Sequence, residues 1–232
     1  MTRIIATRAA ILAAALLCVG SLARAQVIAQ GPGPRVEVEV GGGLLGGADL
    51  GSRDANLRAS RQAQQPFRLF TADTRFARTG MIHVRTSFAL TRRFALEGGM
   101  TWGHPEIRTS VTADAENAPP LVSTERVDQY FVDGGIVITL HRFGIGARAV
   151  PFVSAGAGYL RQLHEGQAVI EEGQVYHVGG GIKYRLRARN RGVIRATGLR
   201  ADVRMNVLRG GISFEENPRP QLAVSGGVFV GF

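Results

Sequence analysis

Between residues 36 and 232 the chain alternates apolar and polar side chains with a period of two, in eight separate segments. The clearest is 197–207. Thr197, Leu199, Ala201, Val203, Met205 and Val207 share one face, and Gly198, Arg200, Asp202, Arg204 and Asn206 the other. Successive strand side chains point to opposite faces, so the pattern predicts a strand with one apolar and one charged wall. The same reading applies to 36–45, 80–91, 94–103, 128–141, 151–161, 174–186 and 221–232. Phe131, Val137, Phe152, Leu160 and Phe229 interrupt it, because they fall on the polar face. No segment carries a convincing helical period.

Eight strands of about ten residues match the ~9–11 residues a tilted membrane-spanning strand needs. Period alone leaves two orientations open: a soluble ligand-binding barrel with the apolar wall inside, or a membrane barrel with it outside. The connectors favour the second. Long links (46–79, 104–127, 162–173, 208–220) alternate with short turns near Arg92, at 142–150 and at 187–195. Long external loops and short periplasmic turns are the habit of outer-membrane barrels. Aromatic residues on the apolar face also gather in two sets. Trp102, Tyr130, Tyr159 and Tyr176 lie toward the long links, and Phe88, Phe94, Tyr184 and Phe232 toward the short turns. Two such girdles flank the lipid-facing band of a membrane barrel.

The N-terminus reads as an address. Arg3 and Arg8 precede an apolar run from Ala9 to Gly20, and Ala23-Arg24-Ala25 supplies a small-residue cleavage site. This is the layout of a signal peptide. Residues 1–25 are therefore expected to be removed, 26–34 to form a short leader, and 35–232 the barrel. Cleavage takes away the single cysteine, Cys18, and three arginines, so the net charge falls from +10 to +7. With no cysteine left, no disulfide framework is possible.

The last eight residues run Ser225-Gly226-Gly227-Val228-Phe229-Val230-Gly231-Phe232. With Ser225, Gly227, Val230 and Phe232 as its polar, glycine, apolar and aromatic positions, this ending resembles the C-terminal insertion signal of bacterial outer-membrane β-barrel proteins. Together with the alternating strands, residues 35–232 resemble the small eight-stranded, OmpA/OmpX-like members of that family. The resemblance implies an antiparallel up-and-down transmembrane β-barrel in the cell outer membrane, inserted by the barrel-assembly machinery and monomeric.

Parity then assigns the interior. Glu37, Glu39, Glu97, Asp133 and Asp202 face Arg85, Lys183, Arg185, Arg200 and Arg204, five acids against five bases. Unpaired buried charge is costly, and eight strands leave an interior just wide enough for side chains. A mutually paired plug is therefore favoured over a narrow channel or transporter. Interior Gly and Ala make room for the long side chains. His83 and His177 share the interior, with His141 near a turn, but their spacing is not that of a metal site. A lipid A-modifying enzyme needs a nucleophile and base at the lipid surface. Only the loop-base residues His104 and His164 sit near it, so no catalytic residue and no cofactor is assigned.

The basic charge is dispersed, which argues against a nucleic-acid partner. Arg92, Arg93, Arg142, Arg148, Arg187, Arg189, Arg191 and Arg195 fall on the short turns, where they would meet anionic headgroups or an acidic periplasmic partner. Arg53, Arg58, Arg61, Arg68, Arg75 and Arg78 crowd the first long link, a site for lipopolysaccharide phosphates. The expected role is structural or interactive, with any specificity in the external loops.

Overall fold

A computed structural model describes residues 34–57, 67–112, 121–144, 148–164, 170–189, 192–212 and 217–232. The expected signal peptide (1–25), leader residues 26–33, and Arg58, Arg61 and Arg191 lie outside them. Eleven strands are present: β1 (Val36–Leu45), β2 (Ala48–Leu57), β3 (Phe67–Phe76), β4 (Thr79–Ala89), β5 (Phe94–Gly103), β6 (Glu106–Thr112), β7 (Leu121–Thr139), β8 (Ala149–His164), β9 (Ile170–Ala188), β10 (Ala196–Gly210) and β11 (Arg219–Gly231).

Eight of them close a ring. Antiparallel pairing runs β1–β4–β5–β7–β8–β9–β10–β11, and β11 returns to pair with β1 from Glu37↔Gly231 to Leu45↔Ala223. These are the eight segments that the alternation marks. Their apolar residues point away from the ring: Val40, Val84, Leu96, Ile136, Val178, Val203 and Val228 are exposed. Their charged residues point inward, where Glu39, Arg85, Glu97, Arg200, Asp202 and Arg204 are buried. In water such a wall would be unfavourable. In hydrocarbon it is what lipid contact requires, and closure leaves no unpaired backbone edge.

The described parts of the two longest links are strands. β2 and β3 form a hairpin, β3 pairs with β6, and β6 pairs with the first residues of β7, from Glu106↔Arg126 to Val111↔Leu121. This four-stranded sheet continues the barrel wall beyond its mouth. It has its own small core of Ala48, Leu50, Phe76, Ile107 and Val127, with Ile212 packed against it. Hydrophobic burial at its base gives the links a reason to order. Gly51, at φ 101°, opens the β-bulge in β2 and donates its N–H to the Asp49 carboxylate.

Strand length also corrects the placing of the aromatics. β7 and β9 each have 19 residues, well beyond the ~9–11 that a bilayer needs. Tyr130, Tyr159 and Tyr176 therefore lie inside strands rather than at their ends. The wall continues several residues past the level of Tyr130, Tyr159 and Tyr176.

Two interior glycines are fixed by close approach. A Cβ on Gly41 would lie 2.8 Å from His83 Cε1, and one on Gly156 would lie 2.6 Å from His177 Cε1. Each buried imidazole occupies the space that a neighbouring strand vacates by having no side chain.

Candidate functional site

The interior is stacked in layers, which the strand registers set in order from the end where β1 starts and β11 finishes. Val137, Phe152 and Phe229 come first, buried to 2% exposure or less. Beside them Lys183 pairs with Glu37, and its Nζ lies 5.7 Å from the centre of the Phe229 ring. Next is the charge web. Arg85 Nη1 lies 2.6 Å from Asp202 Oδ2 and 3.5 Å from Glu39 Oε1. Arg200 reaches Glu97 at 2.5 Å, Glu39 at 3.0 Å and Asp202 at 3.1 Å. Arg204 reaches Glu97 at 2.5 Å and Asp133 at 3.4 Å.

Hydroxyls and imidazoles complete the web. Ser87 donates to Glu97 and Ser225 to Asp202. His83 Nε2 lies 3.2 Å from Glu39, and His177 Nδ1 lies 3.3 Å from Asp133. The guanidinium of Arg200 also sits 4.3 Å over the Phe152 ring, a cation–π contact that joins the web to the layer beneath.

Nine of the ten residues assigned to the lumen network pair there. Arg185 does not join it among the described residues. It lies half-buried toward the short turns, opposite Gly198 at a register shift between β9 and β10. Its partner Gly198 shares the face of Arg200 and Asp202, and the register shift falls beyond it, between Gly198 and Thr197, so the two-residue count holds through Arg185. The paired set is therefore five acids against four bases.

Above the web lies an apolar layer of Leu45, Met81, Phe131, Leu160, Val175, Leu208 and Ala223. Above that, three amides form a chain. Gln162 Nε2 donates to Gln129 Oε1, Gln129 Nε2 to Gln221 Oε1, and Gln221 Nε2 to the Gly46 carbonyl. All three glutamines are at most 1% exposed. Buried amides need such partners. Between web and apolar layer remains a cavity of about 20 Å³, lined in part by Asp133, His177, Arg204 and Asn206. That is room for about one water.

The five aromatic and aliphatic residues that interrupt the alternation thus build layers on either side of the web. Sequence reasoning gave Gln129 and Gln221 an interior parity but no role. Gln162 fell one residue past the end of its segment.

Outside, Trp102 stacks on Tyr130 with ring centres 6.1 Å apart, and His104 meets Trp102 edge-on at 4.4 Å. Tyr159 and Tyr176 face outward at the same end. Phe94, Tyr184 and Phe232 face outward at the other, and Phe88 is half-buried across from Val36. The C-terminal signal residues divide between faces: Ser225 is buried in the web and Phe232 is exposed.

Both loop-base histidines hold a carboxylate. His104 Nδ1 lies 2.5 Å from Asp128, and His164 Nδ1 lies 2.6 Å from Glu125. Neither imidazole is bonded to a serine or threonine hydroxyl among the described residues. His141 is exposed in a turn, with Nε2 2.6 Å from the Arg92 carbonyl oxygen. Among the described residues, no group of three or more His, Cys, Asp and Glu could hold a metal. A cleft of about 260 Å³ lies between the external sheet and the start of β11, lined by Asp49, Ser52, Asp73 and Arg219 among others. Arg219 is buried there and donates to the carbonyls of Ile212 and Gly210.

An antiparallel ring with charge inside and apolar side chains outside defines a transmembrane β-barrel. Its strand number and meander are those of the small OmpA/OmpX-like outer-membrane barrels. No protein-family model and no curated protein matches the chain. Among solved structures it is similar to Neisserial surface protein A, at 14% identity over 85% of this chain and 97% of that one, with a TM-score of 0.49. It is also similar to the outer membrane protein OprG from Pseudomonas aeruginosa (10% identity, 86% and 97% covered, TM-score 0.46). A third is the outer membrane protease OmpT from Escherichia coli (9%, 85% and 96%, TM-score 0.38).

Proposed function

We propose that the protein is an outer-membrane barrel whose lumen is closed, and whose external sheet is its binding surface. The layered interior carries this reading. An apolar layer and an amide layer both cross the lumen above a web in which arginines and carboxylates satisfy one another. Little space remains for water, and an ion entering would have to displace paired charge. The export signal, with cleavage after Ala25, and recognition of the Phe232 ending by the assembly machinery belong to the same reading. So do the two aromatic girdles at the headgroup levels and a monomeric state.

The external sheet supplies a surface for lipopolysaccharide. Arg75 on β3 stands directly across from Arg108 on β6, and both are exposed. Like charges opposite one another destabilise a sheet, so a bridging phosphate would relieve the pair. Arg78 and Arg126, also exposed, extend the stripe toward the lipid boundary. Arg68 lies 3.9 Å from Asp54, and Arg108 lies 3.3 Å from Glu106, the register partner of Arg126, so carboxylates compensate part of the stripe.

Planar-bilayer recording of the purified barrel tests closure: single barrels are expected to show no steady conductance. Reproducible unitary steps would overturn it in favour of a channel. Fractionation with heat-modifiable gel mobility tests the location, and recovery in the soluble periplasmic fraction would sink the membrane reading altogether.

A further inference from the structure

The short-turn end of the barrel carries charge of one sign. Arg92 and Arg93 lie on the β4–β5 turn, Arg142 and Arg148 on the β7–β8 turn, and Arg187, Arg189 and Arg195 around the β9–β10 turn. All seven are exposed. No Asp or Glu occurs anywhere in 90–93, 140–148 or 187–195. The acid nearest this end, Glu37, faces inward and is paired with Lys183.

Each turn also presents an apolar tip. Phe143 is 71% exposed and Val193 79%, with Leu90 and Ile194 exposed beside them. These tips are held in place. His141 Nε2 bonds the Arg92 carbonyl, linking the first two turns, and the Arg189 N–H bonds the Arg195 carbonyl, closing the third.

Arginine flanking exposed Phe, Val, Leu and Ile is the pattern of a surface that enters a headgroup layer. The cation meets phosphate while the tip meets the acyl boundary. An acidic protein partner would explain the arginines, but it would leave water-exposed tips on all three turns unexplained. It would also bind one side of the end rather than its whole circumference. Building on the membrane reading above, we infer that this collar selectively gathers anionic phospholipid of the periplasm-facing leaflet, with phosphatidylglycerol as the probe chemistry.

The single tryptophan, Trp102, lies at the opposite girdle, so a local reporter is available. The F143W variant is made in a W102F background and refolded into phosphatidylcholine vesicles containing 30 mol% (roughly one lipid in three) phosphatidylglycerol. Either lipid is brominated in turn, and quenching of the introduced indole is measured. Phosphatidylglycerol is expected to be enriched about fivefold at the reporter, the gain that one basic residue confers at a membrane surface. Adding R92Q, R93Q, R142Q, R148Q, R187Q, R189Q and R195Q should bring the two lipids to equality, and high salt should do so in part.

Equal quenching by both lipids in the unmodified collar would overturn the inference, as would a preference that survives the glutamine substitutions. Absence of quenching by either lipid would place the tip in water and favour an acidic protein. Unboiled gel mobility of the same vesicle samples separates the two levels. An inserted barrel without lipid preference refutes the collar alone, whereas a chain that fails to insert refutes the membrane reading beneath it.

Discussion

Arg200 is the side chain on which a closed lumen depends most directly. Its side chain is 2% exposed, and its three carboxylate partners, Glu39, Glu97 and Asp202, are each 6% exposed or less. R200M keeps most of the volume and removes the charge, leaving Arg85 and Arg204 to face four carboxylates of the web. Breaking a buried ion pair by deleting one partner costs about 3–5 kcal/mol, because the remaining charge is left without compensation. Urea unfolding of the vesicle-refolded barrel, followed by Trp102 fluorescence and unboiled mobility, should show that loss. E97Q combined with R200M should cost less than the sum of the two single changes by at least about 1 kcal/mol, since one substitution removes the burden left by the other. A loss below about 1 kcal/mol for R200M, the worth of a water-exposed pair, would mean that the web is hydrated. The closed-lumen argument would then fail.

A second test uses glycine. G156A places a Cβ 2.3 Å from the Gly134 carbonyl oxygen as well as against His177, and should cost about 1–3 kcal/mol by overpacking. G98A, whose nearest atom would lie 3.8 Å away, should stay within about 0.5 kcal/mol of the parent in the same urea titration. Depth along the wall is tested by Val203, which lies four residues from Leu199 and Val207, the β10 partners of Tyr184 and Tyr176. V203R should cost roughly 2–4 kcal/mol, whereas V122R on the protruding part of β7 should be near neutral in the same assay. F76A removes the largest side chain of the external core, which is 1% exposed, at a cost of about 3–5 kcal/mol. Limited proteolysis should then cut within 46–127 while the barrel keeps its unboiled mobility.

The ring was legible because a strand buried on one side and solvated by lipid on the other must alternate, and eight segments do. The interior assignments followed from the same count and hold wherever the count is unbroken. Arg185 keeps the inward parity but joins no ion pair of the web among the described residues. The external sheet was illegible because such a count is lacking there. β2 reads Ala-Asp-Leu-Gly-Ser-Arg-Asp-Ala-Asn-Leu and bulges at Gly51, and β6 has only seven residues. Neither holds a two-residue period long enough to stand out, and their order comes from packing against Phe76 and Val127. The layers were hidden in another way. Phe131, Leu160 and Val175 sit on three different strands, and only the registers bring them to one level with Leu45, Met81 and Leu208.

These layers change how the basic charge of the chain is read. A sequence isoelectric point near 11 invites a polyanion as partner, yet the interior cations are consumed within the barrel. Arg85, Arg200, Arg204 and Lys183 face five carboxylates there, so the lumen contributes no positive excess at all. What remains positive stands at one level, the arginine collar at the short-turn end. The long links and the strand ends beside them hold eleven arginines against thirteen acids, so Arg75, Arg78, Arg108 and Arg126 stand in a region with no positive excess. Between that region and the collar runs a wall of exposed Val, Leu, Ile and Met. Charge separated by about a bilayer's hydrocarbon thickness cannot serve one extended anionic ligand, because that ligand would have to cross the apolar band. The collar can serve an anionic surface at its own face of the membrane, whereas the outer arginines, set among acids, can serve only individual phosphates. The collar that makes the chain basic therefore bears on its depth, and neutralising it should weaken the hold on that leaflet without loosening the plug.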